Sequence, residues 1–237
     1  MAILVLLRHG RTRANAEGTL AGWTPGIGLD ERGREQAAAV GRRLMPTPLV
    51  AVVASPLQRC QETACAVLAP RDQAPQLRTE EDLGEARYGA WTGRPLKELA
   101  REPLWKEVQR SPSTVHFPPH DEFASEGMAQ MQARAVAAAR RIDSEVEQQH
   151  GPGAVWLAVS HGDVIKSLLA DALATPLDDF QRIVVDPASV SIVRYTRERP
   201  YVLRLNDSGS DPVDLTALSK AATPDDDAAV GGGAGSV

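Results

Sequence analysis

The sequence predicts an α/β protein, built as a three-layer αβα sandwich with a mainly parallel central sheet, a small cap insertion and a closing C-terminal hairpin. Three observations lead there. Short unbroken apolar runs at residues 2–7, 49–54 and 155–159 read as strands buried on both faces. Segments of helical period follow each run. The last two apolar segments, 189–195 and 201–205, read as an antiparallel hairpin that closes the sheet.

The elements follow in order. After the first strand, residues 8–29 are rich in Gly, Thr and Pro and read as a loop. Asp30 is placed as the N-cap of a helix over 31–44, with Ala37, Val40, Gly41 and Leu44 on one face. The second strand ends at Ser55-Pro56, read as cap and first-turn proline of a helix reaching Leu68. A short edge strand is expected at 74–79. From Glu81 to about His120 the periodicity breaks down, with Tyr88, Trp91 and Trp105 among Gly and Pro, and this stretch reads as the cap. Residues 125–148 form a long Ala-rich helix, punctuated by Gly151-Pro152-Gly153. The third strand leads into Ser160-His161-Gly162-Asp163, which opens a helix to about Leu173. No internal repeat is present.

Composition narrows the classes. With 237 residues the chain suits one catalytic domain over 1–206, carrying the cap at about 81–120. Aromatic residues are only 4%, so the core must be built from Ala, Val and Leu. From Asp207 onwards there are six acidic residues and one lysine, which accounts for the whole net charge of -5. The acidic, Gly- and Pro-rich tail 207–237 is expected to be flexible. Residues 1–206 are therefore balanced, which argues against nucleic acid as a partner. Cys60 and Cys65 sit five apart on one expected helix and point in different directions, so they are read as free thiols of a reducing compartment. No apolar run approaches the roughly 20 residues of a membrane span. A cytoplasmic location is the expectation, with a homodimer left open.

The chemistry lies at the strand ends. In open α/β sheets ligands bind at the C-terminal ends of parallel strands. Here the first junction offers Arg8 and His9, the second Ser55 and Arg59, the third His161 and Gly162 at a helix start. Each alone has a bland reading as a surface loop, a solvated helix cation or a cap. Together they place two arginines, two histidines and a helix N-terminus on one sheet edge. That set suits a phosphoryl group, gripped by guanidinium forks and backbone N–H donors.

Four segments resemble one family. Leu7-Arg8-His9-Gly10-Arg11-Thr12, continuing to Asn15, is similar to the signature of the histidine phosphatase superfamily, also called phosphoglycerate mutase-like. Ser55-Pro56-Leu57-Gln58-Arg59, Leu83-Gly84-Glu85-Ala86-Arg87-Tyr88-Gly89 and Val159-Ser160-His161-Gly162 resemble its later motifs, in order, over roughly residues 1–206. The resemblance implies His9 as a nucleophile that forms a phosphohistidine. It implies Arg8, Arg59 and His161 as ligands of the phosphoryl oxygens, with Asn15 and the Gly162 N–H as further donors. Glu85 becomes the general acid. No cofactor and no metal are implied.

Some positions depart from that pattern or extend it. Arg11 stands where the family often has an acidic or amide residue, and is read as a rim contact to an anionic substrate or as a solvated cation. Trp23 and Thr24 fall where the family's substrate loop lies. Between Glu85 and His120 the cap offers Lys97, Lys106 and Arg110 but no adjacent arginine pair, which favours hydrolysis over mutase action. The leading expectation is a metal-independent phosphatase, a hydrolase of a small phosphorylated metabolite. The alternatives are a phosphoglycerate-type mutase and a phosphate-binding module without turnover.

Overall fold

A computed structural model describes residues 2–209. The chain opens with strand β1 (Ile3–Arg8), then a one-turn helix α1 (Arg13–Ala16) and helix α2 (Glu31–Arg43). Strand β2 (Leu49–Ala54), helix α3 (Gln58–Leu68) and the short strand β3 (Leu77–Thr79) follow. The cap region holds helices α4 (Leu96–Leu99) and α5 (Pro103–Arg110) among 3-10 turns. Helix α6 (Met128–His150), strand β4 (Val155–Ser160), helix α7 (Gly162–Ala172), and strands β5 (Val190–Arg194) and β6 (Tyr201–Asp207) complete it.

The six strands form one sheet in the order β3-β2-β4-β1-β5-β6. β1, β2, β3 and β4 run parallel, whereas β5 and β6 join antiparallel, as the hairpin reading required. Arg8 pairs with Ser160 and Ala54 with Val159, so the three parallel strands end at the same edge. The unbroken apolar runs have a simple cause. Leu4 and Leu6 of β1 enter the core shared with α6, α7 and the cap, and Val5 and Leu7 enter the core under α2 and α3. A strand whose side chains alternate between two buried faces has no polar position to spare.

Several boundaries differ from the sequence reading. The stretch 8–29 is not all loop, because Thr12 caps α1 and accepts a bond from the Asn15 N–H. α3 begins at Gln58 with Leu57 at its N-cap, not at Ser55-Pro56, which puts Arg59 in its first turn. The Ser55 hydroxyl accepts from the Leu57 N–H at 3.3 Å and from His161 Nε2 at 2.8 Å. α6 begins at Met128, three residues later than expected, because Ser125 and Gly127 bridge to Tyr88 and His116 in extended form. It ends where Gly151 takes φ 85°, a backbone conformation that glycine adopts without strain. Residues 210–237, most of the acidic tail, lie outside the described residues. Cys60 is buried and Cys65 exposed, and both are free. Among the described residues no helix is long and apolar enough to cross a membrane.

Candidate active site

β1 delivers Arg8 and His9 to the sheet edge, both almost fully buried. The His9 N–H is held by the Ser160 carbonyl of the neighbouring junction at 3.0 Å. Its ring Nδ1 lies 2.8 Å from the Gly10 carbonyl, which can only accept, so Nδ1 carries the proton and Nε2 keeps its lone pair. Burial, then the charges of Arg59 and Arg8, hold the ring well below the ordinary histidine range, so it is neutral. A Cβ at Gly10 would meet the Gly33 carbonyl oxygen at 2.5 Å, so the loop after β1 lies directly on the first turn of α2. Thr63 secures the other side. Its hydroxyl accepts from the Gly10 N–H at 3.1 Å and donates to the Arg59 carbonyl at 2.7 Å.

α3 and α7 supply the opposing groups. Arg59 Nη2 donates to the Gly22 carbonyl at 2.9 Å and stands 3.2 Å from His161 Nδ1. A guanidinium only donates, so Nδ1 accepts and Nε2 of His161 donates to Ser55 Oγ at 2.8 Å. Burial and the neighbouring Arg59 push His161 well below the usual range. The two imidazoles meet edge to face with centroids 5.3 Å apart. Arg8 Nη1 donates to the Val185 carbonyl at 2.7 Å. Burial lowers Arg8 to about 10, against the charges of Glu85, Asp163 and Asp186, and it remains a cation at neutral pH. His161 is the N-cap of α7, so the Gly162 N–H is among the first donors that the helix leaves without an internal acceptor.

Glu85 faces this cluster from the start of the cap segment. Its Oε2 lies 3.6 Å from His161 Nδ1 and 3.9 Å from Arg59 Nη2. Its Oε1 accepts from the Ala86 N–H at 3.0 Å, with the Tyr88 hydroxyl 3.3 Å away. Burial, and next the charge of Asp163, push the carboxyl up to about 7 against the pull of Arg59. Arg134 of α6 fixes the loop. Its guanidinium donates to the carbonyls of Asp82 (2.7 Å), Gly84 (3.0 Å) and Glu85 (3.0 Å) and forks onto the buried carboxylate of Glu126. Glu126 in turn accepts from the Arg87 N–H at 2.9 Å.

The structure thus brings Arg8, His9, Arg59, Glu85, His161 and Gly162 together. Asn15 uses Oδ1 to accept from the Thr12 N–H and hydroxyl, which leaves its Nδ2 as the end that can donate to an anion. Arg11 donates through Nε to Asp30 at 2.8 Å, so the α2 cap shares its charge. Trp23 donates its ring N–H to the Glu85 carbonyl at 2.7 Å and braces the acid's loop. Thr24 lies half-buried in the same loop. Sequence reasoning assigned no role to Ser55 beyond a cap, nor to Thr63, Tyr88, Asp163, Glu126 and Arg134. Four of these lie within or beside the motif segments, which was a usable signal. Arg134 on an ordinary helix, with Glu126 before it, carried none. Among the described residues no three His, Cys, Asp or Glu side chains converge to hold a metal ion.

Two neutral imidazoles between two buried guanidinium groups, at the C-terminal edge of a parallel sheet, make an α/β protein with a site whose charge and donors suit an oxyanion. The chain belongs to the histidine phosphatase superfamily (branch 1), whose family description matches residues 4–208. A bifunctional protein of Mycobacterium tuberculosis is 35% identical over 207 residues, covering 85% of this chain and 52% of its own. The chain therefore spans about half the length of that curated relative. The 2,3-bisphosphoglycerate-dependent phosphoglycerate mutase 2 of Gloeobacter violaceus is 28% identical over 173 residues, covering 72% of this chain and 75% of its own. Among solved structures, YhfR of Bacillus stearothermophilus superposes with a TM-score of 0.75 at 30% identity, over 87% of this chain and 98% of that one. The alpha-ribazole phosphatase of Shigella flexneri gives 0.72 at 27% identity, over 90% and 100%. The family thus includes phosphatases and mutases.

Proposed function

We propose that the protein is a phosphomonoesterase that hydrolyses a small phosphorylated metabolite through a phosphohistidine. The observation that carries this reading is the state of His9, neutral and buried, with Nδ1 fixed on the Gly10 carbonyl and Nε2 left as a nucleophile. Arg8, Arg59, the Gly162 N–H and Asn15 Nδ2 surround the phosphoryl oxygens and offset the charge spread over them, and the neutral His161 ring, whose N–H is given to Ser55, packs beside them and holds Arg59. His9 Nε2 forms the N–P bond as the ester P–O bond breaks, and Glu85 gives its proton to the leaving oxygen. Glu85, now a carboxylate, takes a proton from water as that water attacks phosphorus. The N–P bond breaks, and the products are an alcohol and inorganic phosphate. A carboxyl at about 7 suits both directions of proton transfer near neutral pH.

The test is turnover of an aryl phosphate by wild type and His9→Ala. Wild type releases phosphate and takes up label at His9 from a labelled ester, and the variant does neither. Equal activity in both overturns the assignment. Binding of phosphate by wild type without labelling leaves a binding module.

The likeness to the Gloeobacter mutase favours a second reading, phosphoglycerate isomerisation. The cap speaks for hydrolysis, because between Glu85 and His120 no two arginines are adjacent to grip a second phosphate. Isomerisation stimulated by a bisphosphate would decide for the mutase.

A further inference from the structure

Behind Glu85, away from the nucleophile, lies a second carboxyl that neither hydrolysis step touches. Asp163 sits in the first turn of α7 and is fully buried. Its Oδ2 is 2.9 Å from the Tyr88 hydroxyl, and the same hydroxyl is 3.3 Å from Glu85 Oε1. Tyr88 is buried among Phe117 and the cap core, and burial with two acidic neighbours holds its phenol well above the ordinary range. It therefore has one proton to give and two carboxyl groups to choose from. The shorter contact assigns that proton to Asp163. Titratable and charged groups pack around the trio and its neighbours. Arg8 comes from β1, Arg59 from α3, His161 and Lys166 from the α7 segment, Asp186 from the loop before β5, and Arg134 from α6. Lys166 Nζ stands 4.0 Å from Asp163 Oδ1 and donates to Gln181 at 2.9 Å.

We propose that Asp163 is a positioning residue for the general acid: it takes the Tyr88 proton away from Glu85 and sets a fixed negative charge behind it, so that Glu85 carries its own proton toward the leaving group. The inference rests on the reading of Glu85 as the acid. A hydroxyl turned toward Glu85 would donate to it and favour the carboxylate. With that hydroxyl committed to Asp163, the ionised Glu85 has only the Ala86 N–H on Oε1. Asp163 adds repulsion, and its charge raises Glu85 where Arg59 lowers it. Lys166 and Arg8 make a buried Asp163 tolerable, as a counter-charge must.

The experiment is a titration of carbon-13-labelled glutamate carboxyls by NMR, with the Glu85 signal assigned from Glu85→Gln. In wild type Glu85 titrates near 7. In Asp163→Asn its midpoint falls by about one pH unit or more, equivalent to tenfold in the proton equilibrium. The alkaline limb of kcat/KM for an alkyl phosphate falls with it, and the loss on an aryl phosphate, whose leaving group needs no proton, is several-fold smaller. A merely structural role would lower both esters together and leave the limb in place. Tyr88→Phe is the second arm, for use even if Asp163→Asn does not fold. Asp163 keeps its charge there and Glu85 loses no donor, so its midpoint stays at or above wild type. A Glu85 midpoint unmoved in Asp163→Asn, or lowered in Tyr88→Phe, overturns the proposal. Wild-type protein that turns over no ester yet titrates as stated would instead overturn the phosphatase reading alone.

Discussion

A carboxyl that titrates near neutrality inside a protein works against the fold once it ionises. Glu85 is raised from the usual 4.5 to about 7, first by burial. Between those two values the unfolded chain releases the proton while the folded chain keeps it. Stability therefore falls as pH rises through this window, and the full cost is present above about pH 7. Glu85→Gln removes it. The variant should melt with wild type near pH 4 and several degrees higher at pH 8, a difference on the order of a few kcal/mol. Thermal melts at the two pH values check this, and an identical gap at both would show that ionisation of Glu85 carries no such cost. The same variant loses about a hundredfold or more in kcat/KM on an alkyl phosphate and much less on an aryl phosphate. The residue types at this site were legible from four motif segments, down to Arg8, His9, Arg59, Glu85 and His161. Which nitrogen of each histidine holds the proton was not. The proton on His9 Nδ1 depends on one carbonyl, and that on His161 Nε2 on Arg59 and Ser55, which come from another strand junction.

At the scale of elements, Glu85 is held in place by a helix that supplies none of the motif residues. Arg134 of α6 uses every N–H of its guanidinium on Glu126 and on three carbonyls of the loop 82–85. Arg134→Gln leaves the buried Glu126 without its cation and the carbonyls without donors, a loss of about 3–5 kcal/mol. Arg134→Lys restores the charge but not the fork and recovers part of it. Urea unfolding midpoints should rank wild type, lysine and glutamine in that order. Activity on an alkyl phosphate should fall more steeply than on an aryl phosphate along the same series. Equal midpoints across the three would show that the clamp contributes nothing. This contact was invisible in the sequence, because Arg134 lies 49 residues from Glu85 on an Ala-rich helix that reads as ordinary packing. The start of α3 was misplaced for a related reason. Ser55-Pro56 is a good local start signal, but the Ser55 hydroxyl is shared between the Leu57 N–H and His161 of another junction, and the helix begins at Gln58.

For the whole molecule, the sheet is what makes separate motifs into one site. β1, β2 and β4 end side by side, and their junctions deliver two guanidinium groups, two imidazoles and a helix start to one edge. An anion that binds between Arg8 and Arg59 in the folded state alone stabilises it. Inorganic phosphate or vanadate should raise the melting temperature, by the equivalent of about 2.7 kcal/mol at a hundredfold excess over Kd. Arg59→Ala should abolish most of that rise. A melting temperature indifferent to phosphate in wild type would contradict an oxyanion site.

The sequence by itself determined the α/β class, the three parallel strand runs, the closing hairpin and the residues gathered at the strand ends. It could do so because buried strands and motif segments are local patterns. Only the tertiary structure decided which nitrogen of each histidine carries the proton, that Arg11 is shared with Asp30, that Trp23 braces the acid's loop, and that Tyr88 stands between Glu85 and Asp163. Those facts depend on distances between residues far apart in the chain. Burial and neighbouring charge set them, and neither is written in any one segment.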